Sequence, residues 1–447
     1  MIEKVYAVCF GQYGPYHHAR VSALQAAVEL RNEQLSFTAP SAIRVLPVQI
    51  SATTRCGSWT DDASEIGGKC VGLRTLCEQL EDEVDPKVVY LKALRLFRAH
   101  HVELAFLPSY SPARLLALFA AAKTLGIRTV MMNESHAGTD RARGWKKQLK
   151  RQIVNRFDAA LVGGEPHKRY FSSLGIPATK IFTGYDAIDN LYFVRRSAEV
   201  RAQGDAYRSQ YGLPQHYFLS MGRMVEKKNL FTLLEAYGEY VQSALRDQRG
   251  HGASSSPPFS LVFVGSGEDE ERLESTAQGM GLRTFNRRAA GPTSTPERLN
   301  PPSREQDPDL ARGSVFFYGY RQLDENPIFY ALSEVFILPS KQEEWGLVVN
   351  EAMASSLPVI VSRTAGCVED LLPLAVPSQG QPVEERGNGY VFDPTSPAAL
   401  AEALSRIAVA SSVHKERMAV SSREIVSRYS CEEFARKALL AAGAALA

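Results

Sequence analysis

At 447 residues the chain is too long for one ordinary hydrophobic core, and two α/β domains with a few insertions fit it. Its 51 basic and 49 acidic residues leave a formal net charge of +2, so bulk charge points to no nucleic-acid partner and no acidic tail. The most lipid-like run, 115–122, is eight residues long and ends at Lys123, far short of the roughly 20 apolar residues of a spanning helix.

The opening places Glu3 and Lys4 ahead of a short apolar run, which reads as a first strand and not as a signal peptide, and a cytoplasmic protein is expected. Short β-branched and aromatic runs then alternate with helical patterns, the mark of βαβ units and parallel sheets. Strands are predicted over 4–10, 43–50, 103–107, 128–132, 159–162 and 180–183, and again over 217–220, 260–264, 315–318, 335–338, 358–361 and 390–392. The reading is α/β: a first Rossmann-like domain over 1–195, a charged linker over 196–212 and a second Rossmann-like domain over 213–429. The Ala/Leu-rich helix 430–447 is expected to pack back on the first domain. Segments 246–258 and 279–313 lack an apolar period and are expected as surface loops, and a third insertion, 373–387, interrupts the run from Gly366 to Asn388. Six cysteines, at 9, 56, 70, 77, 367 and 431, form no CxxC pair and no zinc spacing. They read as free thiols of a reducing compartment, the alternative being a clip that joins Cys56, Cys70 and Cys77.

The window 335–354 carries the chemistry. A buried strand leads into Pro339-Ser340-Lys341-Gln342-Glu343-Glu344-Trp345, and a helix opens at about Gly346 and continues through Leu347, Val348 and Glu351. A helix start offers free amides and a positive dipole end, and Gly346 removes the side chain that would block an anion, so a diphosphate fits there. Glu343 and Glu351 bracket the site. Carboxylates repel phosphate but accept strongly from hydroxyls, so Glu343 is expected to hold a transferred sugar and Glu351 a ribose. The cations that balance the diphosphate are sought at the mouth of another strand, where Gly222-Arg223-Met224-Val225-Glu226-Lys227-Lys228 supplies Arg223 and Lys228. They would stabilise the charge that gathers on a leaving nucleoside diphosphate.

From about Gly222 to Pro394 this sequence resembles the retaining family 4 glycosyltransferases. Arg223-x4-Lys228, Val264-Gly265-Ser266-Gly267, Phe317-Tyr318-Gly319-Tyr320 and Glu343-x7-Glu351 occur in that family's order, and Trp345-Gly346-Leu347-Val348-Val349-Asn350-Glu351-Ala352-Met353-Ala354 is similar to its bacterial, polysaccharide-type members. A weaker likeness covers Asp189-Asn190 and the opening loop with Gly14, where Gly11-Gln12-Tyr13-Gly14 replaces the common paired glycines. The resemblance implies a GT-B fold, with two Rossmann-like domains facing across a cleft that holds a UDP- or GDP-sugar. Catalytic roles fall to Glu343, Arg223, Lys228 and His136, and donor contacts to Gly14, Gly265, Gly319, Tyr320, Gly346, Leu347, Val348 and Glu351. It further implies transfer of a hexosyl unit with retention, without a metal, to a glycan, lipid-linked or small-molecule acceptor.

Several features have a second reading. His136 is either a satisfied structural histidine or a sugar contact, and His17-His18 either line the acceptor side or start the first helix. Asp307-Pro308-Asp309 mimics a metal-binding DxD but has no strand ahead of it and is read as chance. The full GxGxxG pattern is absent around Gly265-Ser266-Gly267, against a nicotinamide cofactor. The run 141–156 holds seven cations, no acid and Trp145, and is either a solvated helix face or a surface for an anionic membrane or a lipid diphosphate acceptor. The rival functions are a nucleotide-sugar epimerase or phosphorylase, or a catalytically silent sugar-nucleotide-binding subunit.

Overall fold

The computed structural model describes residues 3–35, 42–53, 68–251, 257–291, 313–373 and 383–447. The chain divides into two compact units, Met1–Tyr192 with Arg428–Ala447, and Phe193–Ser427.

The first unit is built on β1 (Lys4–Phe10), β2 (Ile43–Ser51), β3 (Arg74–Cys77), β4 (Val102–Pro108), β5 (Arg128–Asn133), β6 (Ala159–Val162) and β7 (Ile181–Thr183). They form one parallel sheet in the order β3-β2-β1-β4-β5-β6-β7. Both faces of β1 are covered: Val5, Ala7 and Cys9 enter one core cluster while Tyr6, Val8 and Phe10 enter the other. That is why a parallel strand reads as a continuous apolar run instead of an alternation. The C-terminal helix Cys431–Leu446 belongs to this unit and packs on the helix Pro15–Leu35 and on β5, β6 and β7. Its small residues Ala435, Ala438, Ala442 and Ala445 fall on one helical face and let the backbone approach the sheet, while Phe434 is buried at its start. Burial of that ring contributes about 1.5–3 kcal/mol.

The second unit holds β8 (Tyr217–Met221), β9 (Ser260–Val264), β10 (Arg283–Asn286), β11 (Ser314–Phe317), β12 (Val335–Leu338), β13 (Val359–Ser362), β14 (Val383–Arg386) and β15 (Gly389–Phe392). The order is β10-β11-β9-β8-β12-β13-β15-β14, parallel throughout except for the antiparallel β14–β15 pair.

Three strands differ from the sequence expectation, β3, β10 and β14, and all three are edge strands of the described sheets. An edge strand buries less and carries charge, as Arg74, Arg283 and Glu385 do here, so no apolar run marks it. β10 thus lies inside a segment expected as a loop, as does the end of the helix Leu230–His251, and β14 lies in the insertion 373–387. Segment 196–212, expected as a linker, is helical: Asn190–Ala202 and Gly204–Tyr211 fold onto the second unit, where Tyr318 donates its hydroxyl to the Gly212 carbonyl at 2.9 Å. Glu199, Arg201 and Asp205 are exposed, half-buried Arg208 donates to the Leu332 carbonyl at 3.1 Å, and buried Val200, Tyr211 and Leu213 supply the packing. Cys56 and Asp307-Pro308-Asp309 lie outside the described residues, and Cys9, Cys70, Cys77, Cys367 and Cys431 are buried and joined in no disulfide among the described residues. Among the described residues no helix is long and apolar enough to cross a membrane.

Candidate active site

Open parallel sheets present ligand sites at the C-terminal ends of their strands, where loops emerge from a rigid frame. In the second unit the loops leaving β8, β9 and β11 are bound to one another through backbone bonds. Gly222 N–H donates to Val264 O at 2.9 Å, Met224 N–H to Ser266 O at 2.9 Å, and Gly265 N–H to Gly319 O at 2.7 Å. This stacking needs glycine. A Cβ on Gly265, whose φ is +128°, would stand 2.0 Å from Gly222 O, and one on Gly267 would stand 2.2 Å from Met224 O. Gly265 therefore has a structural reason for being glycine: it lets the Arg223 loop lie flat against β9.

Asn229 then ties the β8 loop to two further strand ends. Its φ of +58° is the left-handed conformation that Asn tolerates. Its buried Nδ2 donates to Pro339 O at 3.1 Å and to Pro394 O at 2.9 Å, while its Oδ1 accepts from Thr232 Oγ1 at 2.8 Å. Arg223 and Lys228 are thereby held at the rim of one pocket with Ser220, Gly222, Leu338 and Pro339. Arg223 is exposed, and the Lys228 side chain retains 16% of its exposure.

Across from them the loop after β12 carries Glu343, with 10% of its side chain exposed. Lys228 Nζ pairs with Glu343 Oε2, and Ser340 Oγ donates to the same oxygen at 3.0 Å. The Glu343 backbone bridges to Ala365 and accepts the Gly366 N–H at 3.1 Å, so the carboxylate is carried on a fixed backbone. Trp345 is fully buried and its Nε1 donates to Asn350 Oδ1 at 2.8 Å, which fastens the loop to the helix that follows. That helix runs Leu347–Ala354 with Gly346, at φ +103°, as its N-cap. The first amides of a helix, here those of Leu347 and Val348, have no intrahelical acceptor and face the cap.

Glu351, one turn inside the helix, is 2% exposed. Tyr330 donates its hydroxyl to Glu351 Oε2 at 3.1 Å, and Asn326 Nδ2 lies 3.5 Å from the same atom. Gly319, at φ +67°, turns the chain after β11, and Tyr320 beside it is 55% exposed.

Arg223, Lys228, Glu343, Gly346, Leu347, Val348, Glu351, Gly265, Gly319 and Tyr320 thus all lie in the second unit. Gly14 and His136 lie in the first. Gly14 starts the helix Pro15–Leu35, its N–H donating to His17 Nδ1 at 3.0 Å. Burial, reinforced by the Arg20 guanidinium, pushes the His17 pKa well down, consistent with a neutral ring that accepts this bond. His17 is accordingly a helix-start residue. His136 is buried, its Nδ1 accepting from Gly138 N–H at 3.2 Å and its ring 5.4 Å from that of His167. Sequence reasoning gave no role to Asn229, Ser340, Tyr330 and Trp345; Asn229, Ser340 and Trp345 lie within three residues of Lys228 or Glu343, whereas Tyr330 is 21 positions from the Glu351 it serves. Among the described residues no cluster of His, Cys, Asp and Glu has the makeup of a metal site.

Residues 215–409 match the family model described as Glycosyl transferases group 1. The chain is 41% identical over 78 residues to the sulfoquinovosyl transferase SQD2 of Arabidopsis thaliana, a match over 17% of this chain and 14% of that one. It is 26% identical over 148 residues to LpsE of Rhizobium meliloti, a lipopolysaccharide core biosynthesis glycosyltransferase, over 33% of this chain and 30% of that one. These matches span less than half the length of the curated relatives. In fold the chain is similar to HepE of Anabaena, solved in complex with UDP, at 15% identity and a TM-score of 0.62 over 98% of this chain and 99% of that one. Residues 215–409 are therefore similar to the group 1 glycosyl transferases, and the GT-B fold extends over nearly the whole length of the chain.

Proposed function

We propose that this protein transfers a hexosyl unit from a nucleoside diphosphate sugar to an acceptor hydroxyl, with retention at the anomeric carbon and without a metal ion. The observation that carries the reading is that Arg223 and Lys228 share one pocket rim while Lys228 pairs with Glu343, which stands three residues before the Gly346 helix start. Arg223, Lys228 and the amides of Leu347 and Val348 bind the diphosphate. As the bond from the anomeric carbon to the diphosphate oxygen breaks, negative charge gathers on the departing group, and these donors stabilise it more than they stabilise the ground state. The acceptor oxygen forms its bond on the same face, and its proton passes to the departing phosphate.

Glu343 accepts from hydroxyls of the transferred sugar. Glu351, pre-oriented by Tyr330, takes the ribose, and Tyr320 lies beside the base. The complexes of HepE with UDP, with UDP and glucose and with UDP-glucose support a uridine nucleotide as donor. LpsE supports an acceptor in glycoconjugate or polysaccharide synthesis. Buried cysteines joined in no disulfide among the described residues support a reducing, cytoplasmic setting. His136 and Gly14 are assigned to the sugar and donor side of the first unit on the family resemblance.

The test is a thermal-shift panel of UDP- and GDP-sugars followed by acceptor-dependent release of nucleoside diphosphate. A donor that binds the folded chain raises its stability with the logarithm of its concentration over Kd. Sugar interconversion without nucleotide release would indicate an epimerase. Stabilisation without any turnover across an acceptor panel would indicate a binding subunit.

A further inference from the structure

The run 141–156 forms a surface that the donor site does not use. Its helix, Trp145–Val154, buries only Val154. Lys150 moors the helix, donating to Asp140 Oδ1 at 2.7 Å and to the Tyr170 hydroxyl at 2.6 Å. The opposite face is open. Trp145 is 71% exposed and Leu149, one turn later on the same stripe, is 48% exposed. Gln148 and Gln152 complete that face, and six of the seven cations of the run are exposed, all but Lys150.

Two properties of this face are costly for a helix meant only for water. The first turn carries Lys146 and Lys147 and no acid, which sets positive charge against the positive end of the helix dipole. A large indole and a leucine stand in solvent next to that charge, with Lys146 Nζ 5.8 Å from the Trp145 ring centre. An anionic sheet of headgroups removes both costs: it neutralises the cations and gives the indole and leucine an interface to enter.

We propose that this helix seats the first unit on an anionic lipid bilayer, with Trp145 and Leu149 at the headgroup level and Arg143, Lys147 and Arg151 against the lipid charge. The contact is electrostatic in range and apolar in depth. It therefore requires acidic lipid, weakens as salt shortens the Debye length, and depends on both residue classes.

The full-length protein is floated with phosphatidylcholine vesicles, with and without phosphatidylglycerol. It is expected to rise only with the acidic vesicles, and the variant Arg143→Gln/Lys147→Gln/Arg151→Gln to bind on the order of a hundredfold more weakly. With Trp59 replaced by Phe throughout, tryptophan emission should shift to the blue on adding acidic vesicles, and Trp145→Phe should abolish the shift, Trp345 being already buried. Equal flotation on neutral lipid, full binding by the triple variant, an unmoved Trp145, or retention on RNA in place of vesicles overturns the proposal. Thermal stabilisation by a UDP-sugar in the same variants reports the donor site separately, so the two readings fail independently.

Discussion

Lys228 and Glu343 form an ion pair across two strand exits, the ammonium of one loop resting on the carboxylate Oε2 of another. In the proposed reaction the two have different partners, the diphosphate for Lys228 and the sugar for Glu343. The pair thus holds each group in position before donor arrives. Glu343→Gln keeps the shape and removes the charge, and it is expected to lower transfer about 10²–10³-fold while UDP affinity stays within a few-fold. Turnover equal to that of the parent protein would remove Glu343 from the reaction.

Arg223→Ala and Lys228→Ala are each expected to cost about 2.7–4 kcal/mol of transition-state stabilisation, seen in kcat/KM, and to weaken UDP binding. They differ in stability. Arg223 is exposed, so its loss should leave Tm nearly unchanged, whereas loss of Lys228 takes the paired ammonium from a carboxylate that is 10% exposed. A cost on the order of 1–3 kcal/mol follows, and Glu343→Gln placed in the Lys228→Ala background should recover most of it. Additive losses in that cycle would mean the pair contributes nothing to folding.

Gly267→Ala tests the stacked loops without touching any proposed donor contact. Its Cβ would meet Met224 O at 2.2 Å, so the backbone of the Arg223 loop must shift. The expected result is a lower Tm together with at least tenfold weaker UDP binding. A variant with unchanged UDP affinity would show that the position of the Arg223 loop does not matter to the site.

The central strands were legible because both faces of each sheet are buried, so β1, β4, β8 and β12 read as continuous apolar runs. β3, β10 and β14 were hidden by the charge that edge strands carry. At the site, Arg223, Lys228 and Glu343 could be read because each sits in a local motif. Asn229 and Tyr330 could not, because what they do is visible only once residues 110 and 21 positions away, Pro339 and Glu351, are brought to them. The burial of Glu351 could not be read for the same reason: helical spacing fixes a face but not what packs on it.

Acid stability should carry the mark of Glu334. Burial alone would raise its carboxyl, but hydrogen bonds from His216 and Lys415, both at 2.6 Å, outweigh it and bring the pKa down to about 2 from 4.5. A carboxyl depressed on folding stabilises the native state above its unfolded pKa, and that contribution is lost as pH falls towards the folded value. Glu334→Gln is therefore expected to cost about 1–2 kcal/mol at neutral pH after allowance for solvent screening, and the gap to the parent protein should narrow from about pH 4.5 downward. Urea midpoints measured across that range check it, and a gap independent of pH would assign the loss to packing.

Tyr330 and Glu351 give the most selective test of the ribose assignment, because Tyr330 reaches the donor only through the carboxylate. Tyr330→Phe removes the hydroxyl that donates to Glu351 Oε2 at 3.1 Å and leaves the ring among its neighbours, including Phe336 with its centre 5.7 Å away. A buried acceptor that loses its donor costs about 1–3 kcal/mol, so Tm should fall. If Glu351 holds the ribose, its carboxylate also loses one of the bonds that orient it. The KM for the nucleotide sugar should then rise several-fold with kcat little changed, since the ribose is bound alike in ground and transition states. A 2′-deoxyribose donor separates the two roles: it should be penalised in the parent protein and much less so in Tyr330→Phe. An equal penalty in both would leave Tyr330 a packing residue and Glu351 without a ribose contact.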